Sequence, residues 1–568
     1  MHDTSPSCCV ACAGIITRSA PKIIVAVSAA AAAVALLRWL KRNKKCSAKG
    51  SEHVGSWSIA PEIGTPEIGS SSTNPSSRWA KVRSKATPVH PLHPEIKYGG
   101  KALPGFHFAA GASSRVIAEI DLGAISHNVS EIQKRAAATG CKLMGIIKAD
   151  AYGHGAVAVS HMLHACNGLD AFGVATMDEA IELRESGLPL SVRVLVLGAT
   201  HPSEWSNYSR YKLDVMINSG QQADDLIKWS KGEHAGGRLQ FPMRAHIMLN
   251  TGMSRDGLET FSKEDILENS CAKAFGSAGN QQTYHGVCPV AAAQVIQRVA
   301  SVDDSILEFV AICTHMCDAK KGSEYTVLQF RRACAVVEAV RRLGVPVPCI
   351  HLENSESLLA DCIPDEELRA LLEGNPPGTP PTLGYARSGG GMYGQRNHDF
   401  LKPAIVVRAQ IRHVHIADKG VPVGYDRSWV APDDVVIATL SVGFADGYHR
   451  NNSNTVVGYG KGATVVIGGR KCVVAGKVCM DMMMVNCGPG TPESLGVRVG
   501  DYAILYGTGG NGLWTLKEHA DNLGTAQSDV TCDLGRRVRR EYINAPEPQA
   551  GTATVVFLAR ALSEKKLL

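Results

Sequence analysis

A lysine stands at the end of an uninterrupted apolar run, Leu143-Met144-Gly145-Ile146-Ile147-Lys148, and the turn Ala149-Asp150-Ala151-Tyr152-Gly153-His154-Gly155 follows it. A run without polar alternation is the pattern of a strand buried on both faces. An ammonium partly withdrawn from water gives up its proton more readily, so a lysine at such a place is a candidate nucleophile that can form a Schiff base with an aldehyde. A lone lysine that ends a strand more often simply faces water. Tyr152 and the two glycines close behind it shift that balance. Arg255, His315, His351 and Arg387 share the placement, each at or just after the C-terminal end of a strand candidate.

These residues need a scaffold that lines up strand ends. Val116-Ile117-Ala118-Glu119-Ile120-Asp121-Leu122 reads as a strand, and 123–134, with Ile125, Val129 and Ile132 on one face, as a helix. Further strand candidates are Leu143–Ile147, Ala171–Ala175, Arg193–Leu197, Asp214–Ile217, Arg244–Leu249, Phe309–Thr314 and Pro348–His351, separated by amphipathic helices. Alternation over about 270 residues predicts a parallel sheet of an α/β protein, closed as an eight-stranded TIM-type barrel or open and doubly wound. Reactive residues gathered at strand C-termini favour the barrel, whose active sites lie on that face. The segment 261–304 reads as an inserted loop with some helix. Past Asp399 come short strands divided by Gly, Asp and Asn, among them Pro403–Val414, Val435–Val442, Ala463–Ile467, Lys471–Val474 and Tyr502–Tyr506. That texture predicts a separate, mainly antiparallel β domain.

The 568 residues exceed one ordinary domain, with 45% hydrophobic and 20% charged residues as in a globular enzyme. A net charge of +6, partly from one N-terminal patch, implies no nucleic-acid partner. Seventeen scattered cysteines lack the spacing of a disulfide scaffold, which favours a reducing compartment for the folded part. Residues 23–37 form an apolar run flanked by Arg18 and Lys22 before it and by Arg38, Lys41, Arg42, Lys44 and Lys45 after it. Two readings stay open: a membrane anchor with the enzyme on the cytosolic face, and a cleaved targeting segment of an organellar or secreted protein. The organisation expected is 1–46 targeting or anchor segment, 47–113 disordered tether, 114–398 barrel, 399–545 β domain and 546–568 tail.

With these motifs in view, the chain resembles the alanine racemases, enzymes of an α/β barrel followed by a β domain. The resemblance runs from about Arg115 to Ile543, through AEIDLGAISHN, IKADAYGHG, NTGMSR, CTHM, HLENS, ARSGGGMYG, VGYD, GFADGYHR and GKVCMDM in family order. It implies pyridoxal 5'-phosphate (PLP) as cofactor, no metal, and a homodimer that shares its active sites. It assigns Lys148 as the Schiff-base lysine and one catalytic base, and Tyr425, from the second subunit, as the opposed base. His351 is expected to hydrogen-bond Tyr425, Arg387 to face the pyridine nitrogen, and His315 to hold Arg387. Tyr152, Ser355, Gly389 and Gly390 would cradle the phosphate. Arg255 and the backbone of Met480 would bind the substrate carboxylate, with Asp481 and Tyr393 nearby.

Some positions depart from the family pattern. Met248 stands where many relatives have a carbamylated lysine paired with the equivalent of Arg255, so that arginine needs another anion, such as chloride, or stays partly unpaired at a cost of about 1 to 3 kcal/mol. Phe444 and Ser528 replace tyrosines. With Ser254 and Gly390-Gly391, these changes resemble the broad-spectrum racemases of the same superfamily, so serine or larger amino acids compete with alanine as substrates. A decarboxylase or D-threonine aldolase on the same barrel, and a non-enzymatic PLP-binding protein, are further alternatives that Arg387 and the β domain disfavour.

Overall fold

The computed structural model describes residues 97–98, 101–102, 115–261, 287–455, 460, 462–507 and 514–548. The apolar segment 23–37, most of the tether, the tail beyond 548 and residues 262–286 of the insertion lie outside the described residues. Among those described, no helix is long and apolar enough to cross a membrane.

Eight parallel strands close a barrel: β2 (Cys141–Ile146), β3 (Ala171–Val174), β4 (Arg193–Val196), β5 (Asp214–Ile217), β6 (Met243–Asn250), β7 (Leu307–Cys313), β8 (Cys349–His351) and β9 (Leu383–Ser388). Each pairs with the next and β9 returns to β2, with Arg387 opposite Met144. Seven of the eight are the expected apolar runs. The eighth, β9, escapes a reading by apolarity because Gly384, Tyr385, Arg387 and Ser388 interrupt it. The barrel is filled by Met144, Ile146, Leu195, Met216, Met248, Val310, Cys313 and Tyr385, while helices cover its outside. Part of the expected insertion is helix, Val287–Ala300, packed against the helix Glu324–Arg342.

The strand β1 (Val116–Asp121), the first from residue 115 onward, was expected to open the barrel and does not. It pairs antiparallel with β10 (Ile405–Ala417) and parallel with Arg539–Ile543, the last strand among the described residues. The second sheet thus takes a strand from each end of the folded chain. Six of its strands form a closed ring in which β10, 13 residues long, serves as a long seam. Register shifts at Val407/Arg408 and Ile411/His413 let β10 bend from one partner to the next. Asp121, at the end of β1, caps the helix Leu122–Ala138 by accepting from the Ala124 amide at 2.8 Å, so the chain passes from sheet to barrel without a linker.

Candidate active site

Lys148 leaves the end of β2 in an unusual turn. Ala149, Asp150, Ala151 and Tyr152 all have φ between 52° and 56°, a left-handed stretch that L-residues adopt at a cost of about 1 kcal/mol or more each. Its supports are specific. Glu179 accepts from the Ala149 amide (2.7 Å) and from the Ala175 amide (2.7 Å), and Asp150 accepts from Ala156 (2.8 Å). Gly153 continues the turn at φ 82°, where a Cβ would fall 2.0 Å from the Thr531 carbonyl oxygen, so the helix Gln527–Cys532 of the β domain presses directly on it. Ser528 sits on that helix.

Around this turn the strand ends supply the rest. Tyr152 approaches β9 so closely that a Cβ on Gly389 would fall 2.4 Å from its hydroxyl. The Gly389 amide donates to Ser355 Oγ at 2.8 Å, and Ser355 Oγ lies 3.2 Å from Ser388 Oγ. Two hydroxyls and a glycine backbone therefore meet at one place, a set of groups suited to an anion. Burial raises the Tyr152 hydroxyl's pKa, so it stays a donor. Tyr393, expected beside the substrate, is instead buried behind the turn: its ring stacks on His154 at 4.5 Å and its hydroxyl donates to the Ile146 carbonyl at 3.0 Å.

The two histidines differ from expectation. Arg387 Nη1 donates to His351 Nδ1 at 2.6 Å, and His351 Nε2 lies 2.8 Å from His246 Nδ1. With both ring nitrogens engaged and no exposed surface, His351 cannot hydrogen-bond Tyr425. It holds Arg387, the task expected of His315. His315 touches Arg387 only at 3.3 Å and lies at the half-buried mouth of the barrel, with burial first, then Arg387, Arg255 and Lys148, lowering its pKa to about 3. The chain continues from His246 Nε2 to Asp214 Oδ2 at 3.0 Å. Burial opposes the Asp214 charge, but the His246 hydrogen bond and the guanidinium groups of Arg244 and Arg193 outweigh it and hold the carboxylate ionised. Burial also keeps His246 and His351 neutral. Sequence reading missed Asp214 and His246, whose one signal was a polar residue in an otherwise apolar strand.

Tyr425, Met480 and Asp481 lie apart from this group. Tyr425 is 59% and Met480 55% exposed, on neighbouring loops of the β domain linked by the ion pair of Asp426 with Lys477. Asp481 pairs with Arg537 at 2.8 Å. Among the described residues no hydrogen bond or ion pair joins these three to Lys148, His315 or Arg387. A cleft of about 440 Å³ beside them is lined by Phe444, Ala445, Gly447, His449, Arg450 and Asp533.

A closed parallel barrel that gathers a lysine, a buried arginine and an anion cradle at its strand ends, followed by a partly exposed β domain, defines a class of two-domain barrel enzyme. The chain matches the alanine racemase N-terminal domain over residues 120–275 and 279–370 and the alanine racemase C-terminal domain over 404–542. It is 31% identical to an alanine racemase of Geobacter sulfurreducens, across 76% of this chain and 98% of that one, and 30% identical to one of Nostoc sp., across 75% and 96%. A solved alanine racemase structure from Clostridium difficile 630 superposes with a TM-score of 0.61 at 26% identity, covering 77% of this chain and 97% of that one. The chain belongs to the alanine racemase family.

Proposed function

We propose that the protein is a PLP-dependent alanine racemase that interconverts L-alanine and D-alanine as a homodimer. The observation that carries this reading is the division of the site: Lys148 and the anion cradle share the barrel mouth, whereas Tyr425 and Met480 are exposed on the β domain, with Asp481 next to Met480. A second copy, supplying its β domain to this barrel, brings the two halves into one site.

The residues at the barrel mouth fit PLP. The Tyr152 and Ser355 hydroxyls and the backbone at Gly389 and Gly390 suit its phosphate, with Gly389 lacking the Cβ that would strike the Tyr152 hydroxyl and with its amide holding Ser355 Oγ in place. Arg387 would face the pyridine nitrogen, and because a guanidinium keeps its proton, a nitrogen beside it would stay unprotonated. When bound, the cofactor supplies an aldehyde for an amine and an electron sink for the α-carbon.

Lys148 holds the cofactor and takes or returns the α-proton on one face. Tyr425 of the partner subunit does the same on the other, and inversion requires two bases on opposite faces. A phenol with an ordinary pKa of about 10 needs a supporting hydrogen bond to serve as a base. With His351 committed to Arg387, His315 at the barrel mouth is the histidine for that support. Arg255 and the backbone of Met480 bind the substrate carboxylate, with Asp481 alongside.

A broader amino-acid range is a second reading, favoured by Met248, which leaves position 248 without charge, and by Phe444 at the cleft. Incubating the purified holoenzyme with single L- or D-amino acids and separating products by chiral chromatography tests both. Conversion of alanine in both directions, faster than serine, lysine or arginine, is expected. Faster conversion of lysine or arginine would overturn the alanine assignment.

A further inference from the structure

Arg255 sits in the loop between Asn250, the last residue of β6, and a two-residue strand, Leu258–Glu259, that pairs in parallel with the end of β6. The loop is pinned at its base. The Asn250 side chain accepts from the Gly252 amide (3.2 Å) and the Ser254 amide (2.9 Å) and donates to both Glu259 carboxylate oxygens at 3.1 Å. It folds over residue 248 so tightly that a Cβ on Gly257 would lie 3.0 Å from Met248 Cγ.

Met248 offers that loop no charge. It is buried in the barrel interior, 4.0 Å from the Cys313 thiol, which itself lies 3.5 Å from the Met216 sulfur. The carboxylate that does reach the guanidinium is the next residue: Asp256 Oδ1 lies 3.5 Å from Arg255 Nε. The loop starts at Thr251, whose hydroxyl meets that of Thr314, the neighbour of His315, at 2.7 Å, so the pair stands at the mouth of the barrel, where Arg255 also bears on His315 and Arg387.

We propose that Asp256 is the counter-ion of Arg255 and positions its guanidinium to receive the substrate's α-carboxylate. The proposal rests on the racemase reading above. Asp256 engages only Nε, so the two Nη groups, which have no partner among the described residues, form a planar fork that matches a carboxylate. A counter-ion at Nε sets the direction of that fork and neutralises part of the charge that Lys148, Arg255 and Arg387 would otherwise bring together.

The test uses the holoenzyme carrying Asp256→Asn, Asp256→Ser, Asp256→Glu and Arg255→Ala, each read by KM and kcat for L-alanine and by competitive inhibition by propionate. Asp256→Asn and Asp256→Ser are expected to raise KM and the propionate inhibition constant together by about fivefold, the effect of losing a half-exposed ion pair, with kcat within about twofold. Asp256→Glu should restore both. Unchanged KM and inhibition in the Asn and Ser variants, or a loss confined to kcat, would overturn the proposal. Arg255→Ala separates the two claims: if it too changes neither quantity, the carboxylate role of Arg255 fails; if it weakens both while the Asp256 variants do not, only the counter-ion role fails.

Discussion

Arg387 donates from Nη1 to Nδ1 of His351 at 2.6 Å, and this one contact fixes the polarity of a buried chain four residues long. An acceptor at Nδ1 puts the His351 proton on Nε2, which donates to His246 Nδ1. The proton on His246 Nε2 then goes to the Asp214 carboxylate. Every link has one donor and one acceptor with both rings neutral. The site arginine is thereby tied through the barrel wall to the ion pairs of Asp214 with Arg193 and Arg244.

Asp214→Asn should break that chain at its base. It leaves Arg193 and Arg244 without their shared carboxylate, and the cost expected for a buried pair that loses one partner is about 3 kcal/mol or more. Denaturant unfolding measures it, and racemisation should fall about tenfold or more as Arg387 loses its alignment. Stability and activity equal to the parent protein would mean that the chain does not support the site.

The left-handed turn after Lys148 should be equally sensitive. Glu179→Ala removes the acceptor of the Ala149 and Ala175 amides and is expected to cost about 1 to 3 kcal/mol of stability. Gly153→Ala places a Cβ against the Thr531 carbonyl at a positive φ and should be worse than Glu179→Ala. Thermal unfolding of the two variants gives the order, and a harmless Gly153→Ala would contradict the contact between the turn and the β domain.

Glu353 provides a pH signature. It is buried next to the start of the helix Ser355–Leu359, and burial first, then Asp365 and Asp361, raises its pKa to about 7, with Arg387 opposing. A carboxyl whose folded-state pKa lies above its unfolded value stabilises the fold while protonated. The full contribution is present below the ordinary carboxyl range and is lost as pH rises through 7, with about 3 kcal/mol at stake. Unfolding free energies measured from pH 5 to 8.5 should decline in the parent protein and decline less in Glu353→Gln, which should be the more stable at pH 8.5. Parallel curves for the two proteins would refute this.

Much of the fold was legible because a strand buried on both faces must be apolar, and seven barrel strands declare themselves that way. β1 reads equally well as a strand, but nothing local says which sheet a strand joins; its partners lie nearly 300 and more than 400 residues away in sequence. The site was legible at Lys148, Tyr152, Ser355, Arg387 and Gly389, where motif and strand end coincide. The histidine roles were not, because CTHM and HLENS each place a histidine at a strand end and only the packing shows that His351 faces Arg387. Asp256 escaped for the same reason: a carboxylate after an arginine in a loop is ordinary until the loop is seen to fold over an uncharged residue 248.

The central claim is that Lys148 of one subunit and Tyr425 of the other complete a single site, and subunit mixing tests it most directly. Lys148→Ala and Tyr425→Phe should each be nearly inactive alone, with Tyr425→Phe keeping the cofactor's absorbance. Dissociated, mixed in equal amounts and reassembled, half of the dimers become mixed, and each mixed dimer holds one intact site of two. Racemase activity should therefore recover to about a quarter of the parent value. No recovery in mixed dimers that have demonstrably formed would contradict a site shared between subunits.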